Sequence, residues 1–266
     1  MGKASRTKRD GGRREKIAAQ REAERRQQRR RRLFMFGGGG VVIAAAVVVI
    51  LVLALSKSTS PTTTTSHEVI PPANTGTTTT EPAAVTVANT TGITGVVAYD
   101  TTGWPASSHN GSASGALPHT HVTGPVQYSV TPPVGGNHNA TWLNCGVYDK
   151  PVPNENAVHN LEHGAVWITY QPSLPQSEVS QLRTFFGNQT LLTPTGGSTG
   201  SRYIDLTPFP GLPAPIVVSS WGFQLRLTSA TDPRLQQFVN KFRVAQQYSP
   251  EFGSPCTGGI GTPLQQ

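Results

Sequence analysis

Residues 158–170 read VHNLEHGAVWITY, and this segment combines two local patterns that decide the fold class. In a helical conformation, His159 and His163 lie four residues apart and project from the same face. Gly164 ends any such helix, because glycine is a poor helix former. The run that follows, 165–170, is rich in β-branched and aromatic residues and is typical of a strand. The segment therefore predicts a strand, preceded at most by a short helix.

Three further runs have the composition of strands. Each is short, contains β-branched or aromatic residues and is bounded by Gly or Pro. They cover residues 126–130, 203–206 and 216–220.

Two helices alternate with these strands. The first covers residues 176–186, and the second begins at Asp232, an N-cap residue followed by Pro233 at the first helical position. The apolar residues repeat at helical spacing in both: Val179, Leu182 and Phe186 in the first, and Leu235, Phe238, Val239 and Phe242 in the second. This order favours an α+β fold, with α/β as the alternative, in which helices cover a small mixed sheet. The strand order does not follow from these patterns.

The net charge of +8 comes from one end of the chain. Residues 3–32 contain 14 of the 22 basic residues and four acidic ones, so the remainder carries a net charge of −2. Nucleic-acid binding requires clustered cations to neutralise phosphates. We therefore expect no nucleic acid as a partner of the folded domain.

Residues 33–55 contain no charged and almost no polar side chain. As a helix they would span about 35 Å, which exceeds the roughly 30 Å of a bilayer's hydrocarbon core. Four arginines, 29–32, precede this run and only Lys57 follows it closely, so the positive-inside rule places residues 1–32 in the cytoplasm as a basic tail. A cleaved signal peptide is the alternative, since residues 54–56 resemble a cleavage site. We expect one uncleaved transmembrane helix and a single-pass protein of the cell membrane.

Residues 56–95 are dominated by Thr, Ser, Pro and Ala and cannot bury a core, which predicts a disordered linker. The extracytoplasmic globular domain then covers residues 96–266. Its two cysteines, Cys145 and Cys256, form an even number in an exported domain, which favours a disulfide. In the alternative, Cys145 is a metal ligand or a redox thiol.

The histidines are the most informative feature of this domain. Five of the seven lie within residues 119–163: His119, His121, His138, His159 and His163. His138, His159 and His163 are the candidate metal ligands, with His121 as a further candidate, and such a set suits Zn²⁺ or Cu²⁺. In the structural alternative, the histidines bond to the backbone and pack against Trp142, Trp167 and Tyr148.

Residues 159–163 also have the form H-x-x-E-H, in which Glu162 would be the base of a metal-dependent hydrolase or would orient a ligand. Zinc peptidases with this motif carry it on a long helix. Gly164 and the strand that follows argue against a peptidase. No nucleophile elbow, Walker loop or dinucleotide fingerprint is present in the sequence.

Several segments together resemble one bacterial family, domain of unknown function 3105, from about residue 121 to 261. They are PPVGGNH (132–138), CGVYDKP (145–151), VHNLEHG (158–164), API (214–216), SWG (220–222) and SPE (249–251). The basic start, the predicted anchor and the Thr-rich linker are similar to actinobacterial members. The resemblance implies an exported bacterial domain whose activity is not established.

Two hypotheses of function follow. In the first, an exported domain without catalytic activity binds a transition metal, or a partner protein of the cell envelope, through the histidine cluster. In the second, a metal-dependent hydrolase acts in the envelope, with Glu162 as its base. A closed set of ligands favours binding, whereas three ligands and an open position beside Glu162 favour catalysis.

Overall fold

The computed structural model describes residues 67–101, 117–195 and 199–266. These residues belong to one compact unit, Thr65–Gln266. Their main sheet has six strands, in the spatial order β2 (Thr86–Val87), β3 (Val96–Tyr99), β8 (Phe223–Leu227), β7 (Ile216–Ser220), β5 (Val166–Tyr170) and β6 (Ile204–Pro208). Only β5 and β6 pair in parallel, and all other neighbours are antiparallel. The predicted mixed sheet is confirmed.

A second, two-stranded parallel sheet joins β1 (Thr79–Thr80) to β4 (Val126–Gln127). Three helices occur within the described ranges: α1 (Asn154–Glu162), α2 (Gln176–Gly187) and α3 (Pro233–Phe242). The class is therefore α+β, as predicted.

The two faces of the main sheet differ in chemistry because side chains alternate along each strand. On β5, Ile168 contributes to the apolar cluster that contains α2 and α3, whereas Trp167 belongs to a second cluster with α1. On β6, Leu206 lies on the first side and Asp205 bonds to α1 on the second. We call these two sides the apolar face and the polar face.

The two predicted helices are confirmed at the level of single residues. α2 buries Val179, Leu182 and Phe186. α3 buries Leu235, Phe238, Val239 and Phe242. The Asp232 side chain accepts a hydrogen bond from the Arg234 backbone N–H at 2.9 Å, which is the cap expected of an N-cap aspartate.

The strand predictions are confirmed for β5, β6 and β7 but wrong for residues 126–130. Only Val126–Gln127 forms a strand there, and it lies outside the six-stranded sheet. No strand was predicted at β8, although its sequence FQLRL alternates between apolar and polar residues. β8 follows β7 through a tight hairpin in which Gly222 adopts a φ of +77°. That conformation favours glycine.

Residues 67–95 differ from the predicted linker. Val69 pairs with Thr262, β1 pairs with β4, and β2 forms the edge of the main sheet beside β3. The linker boundary at residue 95 is therefore corrected, because this segment belongs to the domain. Low hydrophobicity did not prevent its association, since backbone pairing needs no apolar side chain.

The predicted transmembrane helix at 33–55 and the predicted basic tail at 1–32 lie outside the described residues. Among the residues that the structure describes, no helix has the length and apolar character needed to cross a bilayer.

The disulfide between Cys145 and Cys256 is present, with the two Cα atoms 5.3 Å apart. It joins the loop before α1 to the C-terminal segment of the domain. Both cysteines are buried beside Ala165 and Tyr203.

Candidate metal centre

Helix α1 brings three chemically active side chains into the interior. Eight of its nine residues are buried. Ala157, Val158 and Leu161 pack in the cluster that contains Trp167 and Trp221. The remaining faces carry His159, Glu162 and, just after the helix, His163, which contact the loops around residues 138 and 255.

Gly164 ends α1 as the sequence predicted. Its φ is +95°, and a Cβ atom there would lie 3.0 Å from the Val244 Cα. A side chain at this position would meet backbone at a distance that real Cβ contacts rarely reach. The turn allows β5 to begin at Val166, so α1 is fixed directly to the central sheet.

Three buried histidines share one mode of attachment, in which Nδ1 bonds to a backbone carbonyl oxygen. The distances are 2.8 Å from His138 to Gly136 O, 2.6 Å from His159 to Asn139 O and 2.7 Å from His163 to Pro255 O. A carbonyl oxygen can only accept, so each Nδ1 carries the hydrogen atom. In the neutral ring, Nε2 is then left with a free lone pair.

These Nε2 atoms point toward one another and toward a carboxylate. The Nε2 atoms of His159 and His163 are 2.9 Å apart, and Nε2 of His138 is 2.7 Å from Oε2 of Glu162. The second contact is close but lacks the direction of a hydrogen bond. Neutral rings of His159 and His163 in these tautomers would place two lone pairs opposite each other, which a shared cation would relieve.

Four groups offer one ligand atom each within a small volume. The ligand atoms of His121, His138, His159 and Glu162 all lie within 4.8 Å of one another. His121 is exposed, and the other three residues are buried. This His/Glu cluster could therefore bind a metal ion and would be approached from the side of His121.

The protonation of the cluster suits metal ligation. Burial is the largest influence on His159 and, with the nearby His163 and His138, lowers its pKa to about 3 against the opposing bond to Asn139. Burial likewise lowers the pKa of His163. Both rings are therefore neutral at neutral pH.

Glu162 is ionised for a different reason. Burial alone would raise its pKa, but the contact with His138 and the nearby His159 and His119 outweigh burial and hold the pKa below its ordinary value. An anionic carboxylate together with imidazole nitrogens is a donor set that divalent transition metals accept.

The candidate ligands named from the sequence occupy related but different positions. His121 and His138 are neighbours through a parallel β-bridge, with ring centroids 5.0 Å apart. His163 lies beside His159 but outside the group of four. Glu162 belongs to that group, and its other oxygen is 3.4 Å from His119 Nδ1.

Two features of the site were not predicted. Glu251 Oε2 lies 3.7 Å from His163 Nε2, and the SPE segment that contains it gave no indication of this role. Two tryptophans also form walls: Trp142 is 5.8 Å from the His159 ring and 5.4 Å from the His163 ring, and Trp221 is 6.0 Å from the His138 ring, between centroids. The structural alternative had named Trp142 but not Trp221.

The fold and the site together define an α+β domain with a buried His/Glu cluster that could hold a metal ion. A family model described as a protein of unknown function, DUF3105, matches residues 119–258, which is just over half of the chain. The chain belongs to this family. The matched region contains the five clustered histidines, Glu162 and both cysteines. No match was found among the curated proteins or among the solved structures.

Proposed function

We propose that this domain binds one divalent transition-metal ion, with zinc and copper as the candidates, through His121, His138, His159 and Glu162. His163 lies next to His159 and is available as an alternative ligand. The observation that carries the proposal is the shared attachment of His138, His159 and His163, whose Nδ1 atoms are each held by a backbone carbonyl.

This attachment is the arrangement that metal-binding histidines usually have. A ligating imidazole almost always donates its second N–H to a carbonyl or a carboxylate, which fixes the tautomer and the ring orientation. Here the three rings are buried and fixed in this way. Hydrogen bonds to the backbone alone would also suit structural histidines, but they would not require Nε2 of His159 to face Nε2 of His163, or Nε2 of His138 to face Glu162.

The position of Glu162 supports binding rather than hydrolysis. A catalytic base needs a water molecule between itself and the metal. Glu162 Oε2 instead lies 2.7 Å from the nitrogen of a candidate ligand, inside the group of four. The motif also lies at the end of a helix of nine residues, with His163 just beyond it, whereas peptidases of this type carry the motif on a long helix.

We further propose that the domain is held outside the cell membrane by a helix at 33–55, as in the actinobacterial members that the chain resembles. The buried disulfide supports export, since disulfides persist in oxidising compartments. A partner protein of the envelope would then be the natural source or recipient of the metal. A reporter enzyme fused after Gln266 should be active only outside the cytoplasm, and activity inside would contradict this topology.

Calorimetric titration of the full chain in detergent with Zn²⁺ and with Cu²⁺ tests the metal site. We expect one ion per chain, and His159→Ala should weaken binding by at least about a hundredfold, because a direct ligand contributes more than an outer partner. His67→Ala is the matched control, since His67 is exposed and outside the cluster. Equal affinity in the wild type and in His159→Ala would contradict the proposal.

A further inference from the structure

The segment that enters the domain passes close to the candidate metal centre. We call residues 67–87 the strap. Its backbone follows residues 125–127, which precede the loop that carries His138. Thr79 N donates to Pro125 O at 2.9 Å, and Glu81 N donates to Gln127 O at 3.0 Å. The strap therefore pairs with the part of the chain that lies between His121 and His138.

Glu81 holds the residue that precedes His138. Its Oε1 atom accepts a hydrogen bond from the Asn137 backbone N–H at 2.7 Å, while the Tyr128 hydroxyl donates to Asn137 O at 2.7 Å. A Cβ atom on Gly136 would lie 3.1 Å from the same Oε1, so the carboxylate fits closely against this turn. Gly136 in turn provides the carbonyl that accepts from His138 Nδ1.

Asn74 holds the residue that follows His138. Its Oδ1 atom accepts from Asn139 Nδ2 at 2.6 Å, and its own Nδ2 donates to Glu155 Oε2 on α1 at 2.8 Å. The carbonyl of Asn139 accepts from His159 Nδ1. The Asn74 side chain thus connects the loop that carries His138 to helix α1.

We propose that the strap is a working part of the metal centre, with Glu81 and Asn74 as positioning residues that orient His138 and His159. The inference rests on the proposed function. Its consequence is that the N-terminal segment of the domain, which is nearest in sequence to the predicted membrane anchor, controls the affinity for the metal. Displacement of the strap, by a partner protein or by proteolysis, would release the ion and would detach only the edge strand β2 from the main sheet.

The test compares two carboxylates of the strap in the full chain. Glu81→Ala should weaken Zn²⁺ binding by about tenfold to a hundredfold, which is the usual effect of removing an outer-shell partner. Glu68→Ala is the matched control, because Glu68 also accepts from a backbone N–H, that of Asp149, but away from the cluster. Glu81→Gln should retain most of the affinity, since its amide oxygen can accept from Asn137.

A second measurement uses no metal. Long-range ¹H–¹⁵N spectra of the metal-free protein report which ring nitrogen of His138 carries the hydrogen. We expect Nδ1 in the wild type and in Glu68→Ala, and a mixture of tautomers in Glu81→Ala.

The outcomes separate the two proposals. A wild type that binds no Zn²⁺ or Cu²⁺ overturns the proposed function. If the wild type binds, then unchanged affinity together with an unchanged His138 tautomer in Glu81→Ala overturns the role of the strap. Equal weakening by Glu68→Ala would overturn the assignment of Glu81 as a positioning residue, because a general loss of strap contacts would then explain the effect.

Discussion

The two faces of the main sheet bury helices by different chemistry. On the apolar face, α2 and α3 each bury a stripe of hydrophobic side chains. On the polar face, α1 is buried on nearly all sides, and five of its eight buried residues are polar or charged: Glu155, Asn156, His159, Asn160 and Glu162.

Buried polar groups are costly unless they are hydrogen-bonded, and the polar face meets this requirement largely through specific partners. Glu155 accepts from Val126 N, Asn156 donates to Thr141 O, and Asn160 donates to Asp205. The apolar face therefore supplies stability, while the polar face keeps chemical groups in fixed positions. Mutations on the two faces should therefore change stability and metal affinity independently.

The largest effect is expected on the apolar face. Phe238 is fully buried, with its ring 4.4 Å from that of Phe242. Phe238→Ala should lower the free energy of unfolding by about 3–5 kcal/mol, because it removes buried surface and leaves a cavity. Urea unfolding measures the loss, with the exposed Phe252→Ala as control. The metal affinity of the folded protein should not change. A loss of affinity would contradict the assignment of stability to the apolar face and of metal binding to the polar face.

The disulfide should have a smaller effect on stability and a visible effect on the site. Replacing both Cys145 and Cys256 by serine opens a loop with a sequence separation of 111 residues and should cost about 2–4 kcal/mol. Because Pro255 holds His163, metal affinity should also fall. Reduction of the wild type should reproduce both changes in urea unfolding and titration. Stability that is the same with and without the bond would contradict the prediction.

The smallest effect concerns Asp205 on the polar face. Complete burial, opposed by bonds from Asn160 and Gly146, raises its pKa from 3.8 to about 7. The folded state therefore binds a proton more tightly than the unfolded state, so this contribution to stability is fully present below pH 4 and is lost as the pH rises through 7. It amounts to roughly 2 kcal/mol between pH 5 and pH 7.

Asp205→Asn should remove this dependence of stability on pH. The variant should be less stable than the wild type at pH 4, where it lacks one hydrogen bond, and more stable at pH 8. Unfolding curves at several pH values test the crossing, with Asp149→Asn as an exposed control. Parallel curves for the wild type and Asp205→Asn would show that the carboxyl group is not the source of this dependence.

The same contrast explains what could be predicted from the sequence. Repeating apolar residues and the Asp232 cap predicted α2 and α3, because periodicity and capping are local properties. The alternation in FQLRL was equally local and would have identified β8. Backbone pairing of the strap left no apolar pattern, so its membership of the domain required the structure.

The candidate site also combines local features, which could be predicted, with long-range contacts, which could not. The spacing of His159 and His163 predicted a shared helical face, and their Nε2 atoms are 2.9 Å apart. The approach of His121, His138 and Glu162 depends on how distant loops fold together. The partners that fix the rings are the carbonyl groups of Gly136, Asn139 and Pro255, and a carbonyl group is the same in every residue. No sequence pattern could have indicated them.

The turn at Gly164 links the occupancy of the site to the melting of the whole domain. Because a single tight turn attaches α1 to strand β5 of the main sheet, the helix cannot leave its place without disturbing the sheet. An ion that binds only the folded chain then stabilises the entire cooperative unit by mass action, by about 2.7 kcal/mol when its free concentration is a hundred times Kd. The midpoint of thermal unfolding would therefore rise with ion concentration and serve as a gauge of affinity for each metal.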